Sequence, residues 1–202
     1  MITANKIQKF VNSIYSEMSR YFNELLQQYN LSRKWNKLIL YNALYSNEDI
    51  EDIRKNKLYS RMLTYATIYA DPKSKEFDTD DCIVEEVNQI VYMSYQAFYE
   101  IIISCMMDYD SIISTMKFTL KHEIGHILYN RTFIGKPVRE WFSKIDQYPQ
   151  NYPPKLRKNA SMENRLKWIL EYNEIEEEVN ANAQVGITKE DIIEDFYRTN
   201  GW

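Results

Sequence analysis

From Ile7 onward, apolar residues recur at Phe10, Val11, Ile14, Met18, Tyr21, Phe22, Leu25 and Tyr29. Steps of three and four put them on one helical face, so residues 3 to 29 are predicted as an amphipathic helix. The stripe is wider than a coiled-coil seam, which points to a core-facing helix rather than a dimerising one. Between Trp35 and Ala70 the pattern changes. Lys37 to Tyr41 and Leu63 to Tyr69 are rich in β-branched and aromatic residues, which favour strands, while Asn47 to Lys57 reads as a short charged helix. Asp71 to Lys75 and Asp78 to Asp81 are polar and read as a loop before a third strand near Gln89 to Ser94. From Val84 to Met107 the short, aromatic-rich apolar runs fit helix and strand equally well.

Asp110 and Ser111 precede a proline-free run with apolar residues at Ile112, Ile113, Met116, Leu120, Ile124, Ile127 and Leu128, predicting an N-capped helix over 111 to 130. Asn130 to Lys158 collects Gly135, Pro137, Pro149, Pro153 and Pro154, so only Val138 to Ile145 is expected to be helical in a long, partly irregular connection. Ser161 opens a helix that the pattern carries through to Val185, before Gly186, and Thr188 caps a last helix through Tyr197. The expected fold class is α+β, predominantly helical with a small sheet of three or four strands. One domain over 1–202 is expected, with a helical N-terminal segment to about residue 60.

Composition narrows the function. With 45% apolar and 27% charged residues in 202, the chain has the material for a core, which excludes a disordered protein. A net charge of −4 supplies no basic surface, so direct nucleic-acid binding is not expected. Cys82 and Cys105 form no framework and read as small buried hydrophobes. The N-terminus shows no apolar run of the signal-peptide kind, so the cytoplasm is the expected compartment. The longest apolar run, Ile101 to Met107, is far short of the roughly 20 residues of a membrane span, and no membrane association is expected.

The two histidines of the chain stand as His122-Glu123-Ile124-Gly125-His126, within the predicted helix. Positions i and i+4 share a helix face, so both imidazoles can address one ion. Neutral imidazoles suit zinc, and a catalytic site adds one more protein ligand and keeps a position open for water. Glu123 follows the first histidine and is placed to take a proton from that water. Downstream, Glu171, Glu174, Glu176, Glu177 and Glu178 are in reach. On a continuous helix Glu176 shares its face with Ile169, Tyr172, Val179 and Ala183, a lone carboxylate in an apolar stripe, which makes it the best candidate for the third ligand. Asn180, one turn on, is placed to hold a ligand histidine by its second nitrogen. Tyr129 and Tyr172 are candidates to stabilise an oxyanion, and Gly125 is a candidate for close approach of a strand or substrate backbone.

Phe118-Thr119-Leu120-Lys121-His122-Glu123-Ile124-Gly125-His126 resembles the corresponding segment of ImmA/IrrE-type zinc metallopeptidases, a gluzincin-like group, over about residues 110 to 185. Glu176 to Ala183 resembles the helix in which these enzymes carry a glutamate four residues before an asparagine or aspartate. The resemblance implies a zincin-like fold, one zinc ion on His122, His126 and Glu176, and Glu123 as catalytic base. It implies an endopeptidase acting on a protein or peptide, such as a repressor; in the expected fold, an edge strand of the small sheet could receive the substrate as an added strand. The alternatives are a non-catalytic zinc-binding interaction module and a metal-dependent hydrolase of a non-peptide substrate.

Overall fold

A computed structural model describes residues 3–40, 44–56, 62–70, 82–145 and 160–200. The predicted loop at 71–81 and the prolines Pro149, Pro153 and Pro154 of the long connection lie outside them. Helix α1 (Ala4–Gln28) buries Ile7, Val11, Ile14, Met18, Phe22, Leu25 and Leu26, so the apolar stripe faces the core of its own chain. Burying each such side chain is worth about 1.5–3 kcal/mol, which lets one long helix carry a large share of the core. Strand β1 (Asn36–Leu40), helix α2 (Asn47–Asn56) and strand β2 (Met62–Ala70) follow.

The ambiguous stretch from residue 84 divides in two. Strand β3 (Val84–Met93) buries Val87, Gln89, Val91 and Met93 with a period of two. Ser94 then caps helix α3 (Tyr95–Ser104), its side chain accepting from the Ala97 amide. The pattern was ambiguous because Gln89, a polar residue, holds one of the inward positions. It is fully buried and donates to the Ile127 carbonyl at 3.2 Å, while Asn130 donates to it at 2.9 Å. The sheet has order β1-β3-β2, with β1 parallel and β2 antiparallel to β3, so β1 and β2 are its edges among the described residues.

Helix α4 (Tyr109–Arg131) crosses the molecule and packs on α1, on β2 and β3, and on two C-terminal helices. It begins two residues earlier than the sequence pattern suggests, because Asp108 is the cap and accepts from the Ser111 amide at 2.8 Å. Its buried residues lie on several sides, so it is a central helix rather than an amphipathic surface one. After α5 (Val138–Ile145) the predicted 161–185 helix is interrupted. Helix α6 (Met162–Tyr172) ends at Asn173, and α7 (Glu176–Val185) restarts after Ile175. Gly186 closes α7 in the left-handed conformation that glycine adopts without strain. Helix α8 (Lys189–Asn200) follows. The architecture is α+β and mostly helical, and no helix among the described residues is long and apolar enough to cross a membrane.

Candidate metal centre

Helix α7 lies directly against α4. A β-carbon at Gly125 would overlap the carbonyl oxygen of Ala181, so the two backbones meet where only hydrogen fits. The glycine expected to face a strand or a substrate therefore faces a helix. This contact brings Glu178, about one turn before Ala181, and Asn182, the residue after it, onto the His122/His126 face of α4.

The carboxylate that arrives is Glu178. Its Oε2 lies 3.0 Å from His122 Nε2 and 3.5 Å from His126 Nε2, and the two Nε2 atoms are 3.1 Å apart. His122, His126 and Glu178 form the group able to hold a metal ion among the described residues. Oε2 of Glu178 is sealed from solvent and makes no hydrogen bond of good geometry, although both imidazoles are close. Such an oxygen is expensive to leave unmatched, and a cation at the centre of the three atoms would match it.

Glu176 is not in this group and is corrected as the third ligand. It is exposed, and its Oε1 accepts from Lys144 Nζ of α5 at 2.7 Å. The reason is helix phase. A helix continuous through 161–185 would turn Glu176 inward, but the interruption at Asn173 to Ile175 resets the register, and the inner face becomes Ile175, Glu178, Ala181, Asn182 and Val185. Glu176 is two residues from Glu178, about 200° around the helix. Asn180 is displaced in the same way, and Asn182 takes the role expected of it. Its Oδ1 lies 2.8 Å from His122 Nδ1, while its amide donates to Asn173 Oδ1 at 2.9 Å. Asn173 in turn donates to the Ile169 carbonyl at 2.8 Å. With Asn182 oriented by Asn173, its oxygen accepts from His122 Nδ1–H and leaves the Nε2 lone pair for a metal. Two signals in the sequence pointed this way. A glutamate stands four residues before an asparagine at 178/182 as well as at 176/180, and Ala181 supplies the small residue that Gly125 requires.

Electrostatics favour positive charge here. Burial alone would raise the Glu178 carboxyl, but the two imidazoles more than offset it and hold it well below the usual carboxylate range. Burial pushes the His126 imidazole down, but Glu177 and Glu178 overcome this and leave it well above its ordinary value. His122 is raised against burial in the same sense, chiefly by Glu178. Glu123, buried beside them on α4, adds to the field at both histidines.

The two tyrosines are packed against aromatic neighbours. Tyr129 belongs to a satellite core with Val84, Val87, Phe133, Val138 and Trp141, its ring 5.7 Å from that of Phe133. Tyr172 ends α6 and stacks on Trp168 at 5.5 Å. Comparison with protein-family models, with curated proteins and with solved structures finds no match to this chain.

Proposed function

We propose that the protein is a zinc-dependent endopeptidase in which His122, His126 and Glu178 hold the metal and Glu123 is the general base. The observation that carries this is the convergence of Nε2, Nε2 and Oε2 with edges of 3.0, 3.1 and 3.5 Å. Ligands at about 2.0–2.1 Å around a tetrahedral zinc lie roughly 3.3–3.4 Å from one another, so the three atoms are close to three corners of such a site. Zinc so held supplies Lewis acidity, drawing the pKa of water toward neutrality and polarising a carbonyl.

The remaining work falls to the chain. His122 is kept in one tautomer by Asn182, so its donor atom is preset. Glu123 is within electrostatic reach of both histidines but follows His122 by one residue, about 100° away on the helix, which suits a base rather than a fourth ligand. In the proposed cycle its carboxylate takes the proton of the attacking water and returns it to the leaving amine. A peptide substrate is consistent with β2, an edge strand among the described residues, packing on the histidine-bearing helix, where an added strand would lie near the metal centre. On this reading Glu178 and Asn182 take the places that the resemblance to ImmA/IrrE-type enzymes assigned to Glu176 and Asn180.

The test has two arms. Elemental analysis after dialysis against a weak chelator should give about one zinc per chain for the parent and for Glu176→Ala, and near none for Glu178→Ala. A quenched-fluorescence peptide library should be cleaved by the parent, while Glu123→Gln retains zinc and cleaves nothing. Zinc retention without cleavage by the parent would reject the peptidase and leave the binding module or another hydrolase.

A further inference from the structure

The two imidazoles are steadied by different groups. His122 meets an amide at Nδ1, whereas Nδ1 of His126 faces a carboxylate, with Glu177 Oε1 3.4 Å away. Glu177 and Glu178 are adjacent on α7, about 100° apart, and they reach His126 from opposite sides. Glu178 approaches Nε2 and Glu177 approaches Nδ1. The Glu177 side chain is mostly shielded, 18% exposed, so its interaction with the ring is not dispersed into water.

A metal-binding imidazole that donates through its second nitrogen keeps one tautomer and one ring orientation. We propose that Glu177 is the positioning residue of His126, accepting from Nδ1–H so that Nε2 points to the metal centre. It is not itself a ligand, because its oxygen lies across the ring from the point where His122, His126 and Glu178 converge. One turn of α7 then supplies both the third ligand and the holder of His126, and Asn182, one turn later, holds His122. The whole centre is in register or out of register with α7 as a unit. This inference rests on the metal centre proposed above.

The test is the apparent zinc dissociation constant, measured by competition with a chromophoric chelator for the parent, Glu177→Ala, Glu177→Gln and Glu178→Ala, together with metal-free melting temperatures. Glu177→Ala should weaken zinc binding about 10–100-fold. Glu177→Gln, whose amide oxygen still accepts, should stay within about threefold of the parent. Both should melt with the parent when metal-free. If Glu177→Ala binds as the parent does while Glu178→Ala loses zinc, the positioning role is overturned and the metal centre stands. Equal losses in the Gln and Ala variants would overturn it in favour of charge, and a lowered metal-free melting temperature for Glu177→Ala in favour of a structural role. A parent that takes no zinc, or a Glu178→Ala that matches it, would overturn the metal centre and this inference with it.

Discussion

Asp195 on α8 and Glu178 on α7 are both acids carried in toward α4, and the molecule treats them in opposite ways. Burial pushes Asp195 up to about 6, although Arg198, 3.0 Å away, and Thr115 of α4 partly oppose the rise. Glu178 is more deeply buried and is nevertheless held low, because two imidazoles face it. Asp195, half-buried beside a permanent cation, is an ordinary ion pair in which burial still outweighs the partner, so it ionises late. A buried acid whose neighbours are two neutral-capable ligands, with one oxygen left without a hydrogen bond, is matched only when a further positive charge arrives.

The sharpest way to break this comparison is to exchange the two losses. Glu178→Ala should abolish tight zinc binding, by at least about 100-fold, because a ligand matters more than the outer partners that tune it. Asp195→Asn should leave zinc affinity at the parent value, and chelator competition on both variants decides. Gly125→Ala attacks the spacing that brings Glu178 in. The new β-carbon meets Ala181 backbone, so α7 must move, at about 1–3 kcal/mol or more, and zinc binding should fall with it. Urea melts of the metal-free and zinc-loaded variant would show both effects.

The Asp195 end makes a prediction in pH. Its folded pKa of about 6 exceeds the ordinary aspartate value of about 3.8, so the unfolded chain ionises it first. Its contribution to stability is therefore greatest below about pH 4 and is lost as the pH rises to about 6. The expected loss is on the order of 2–3 kcal/mol. Urea melts of the parent and Asp195→Asn at pH 4 and pH 6.5 should show the parent losing that much relative to the variant. A parallel pair of curves would contradict it. The smallest effect concerns the asparagines. Asn182→Ala should weaken zinc binding about 10–100-fold through His122, whereas Asn180→Ala, on the far side of α7, should change it little.

Helix α1 was legible because its buried face is wholly apolar, so the pattern in the sequence is the same as the pattern of burial. The histidine pair was legible for a similar reason: a spacing of four within one helix needs no partner to be read. Strand β3 is harder to read because Gln89 occupies an inward position that Asn36, Asn130 and the Ile127 carbonyl make tolerable. The third ligand is not legible in the sequence because helical phase does not carry across Asn173 to Ile175. No proline or glycine marks that interruption, and the polar residues there fit a helix or a turn.

Local patterning in the chain was enough for the core helix α1, the predominantly helical class with a small sheet, and His122, Glu123 and His126 on one helix. These depend on interactions within a few residues, where period and spacing suffice. The tertiary structure decided which glutamate joins the histidines, and which of Asn180 and Asn182 holds His122. That choice depends on the rotation of α7 about its axis, set by the contact of Gly125 with Ala181 across two helices far apart in sequence, and a rotation of 200° separates Glu176 from Glu178.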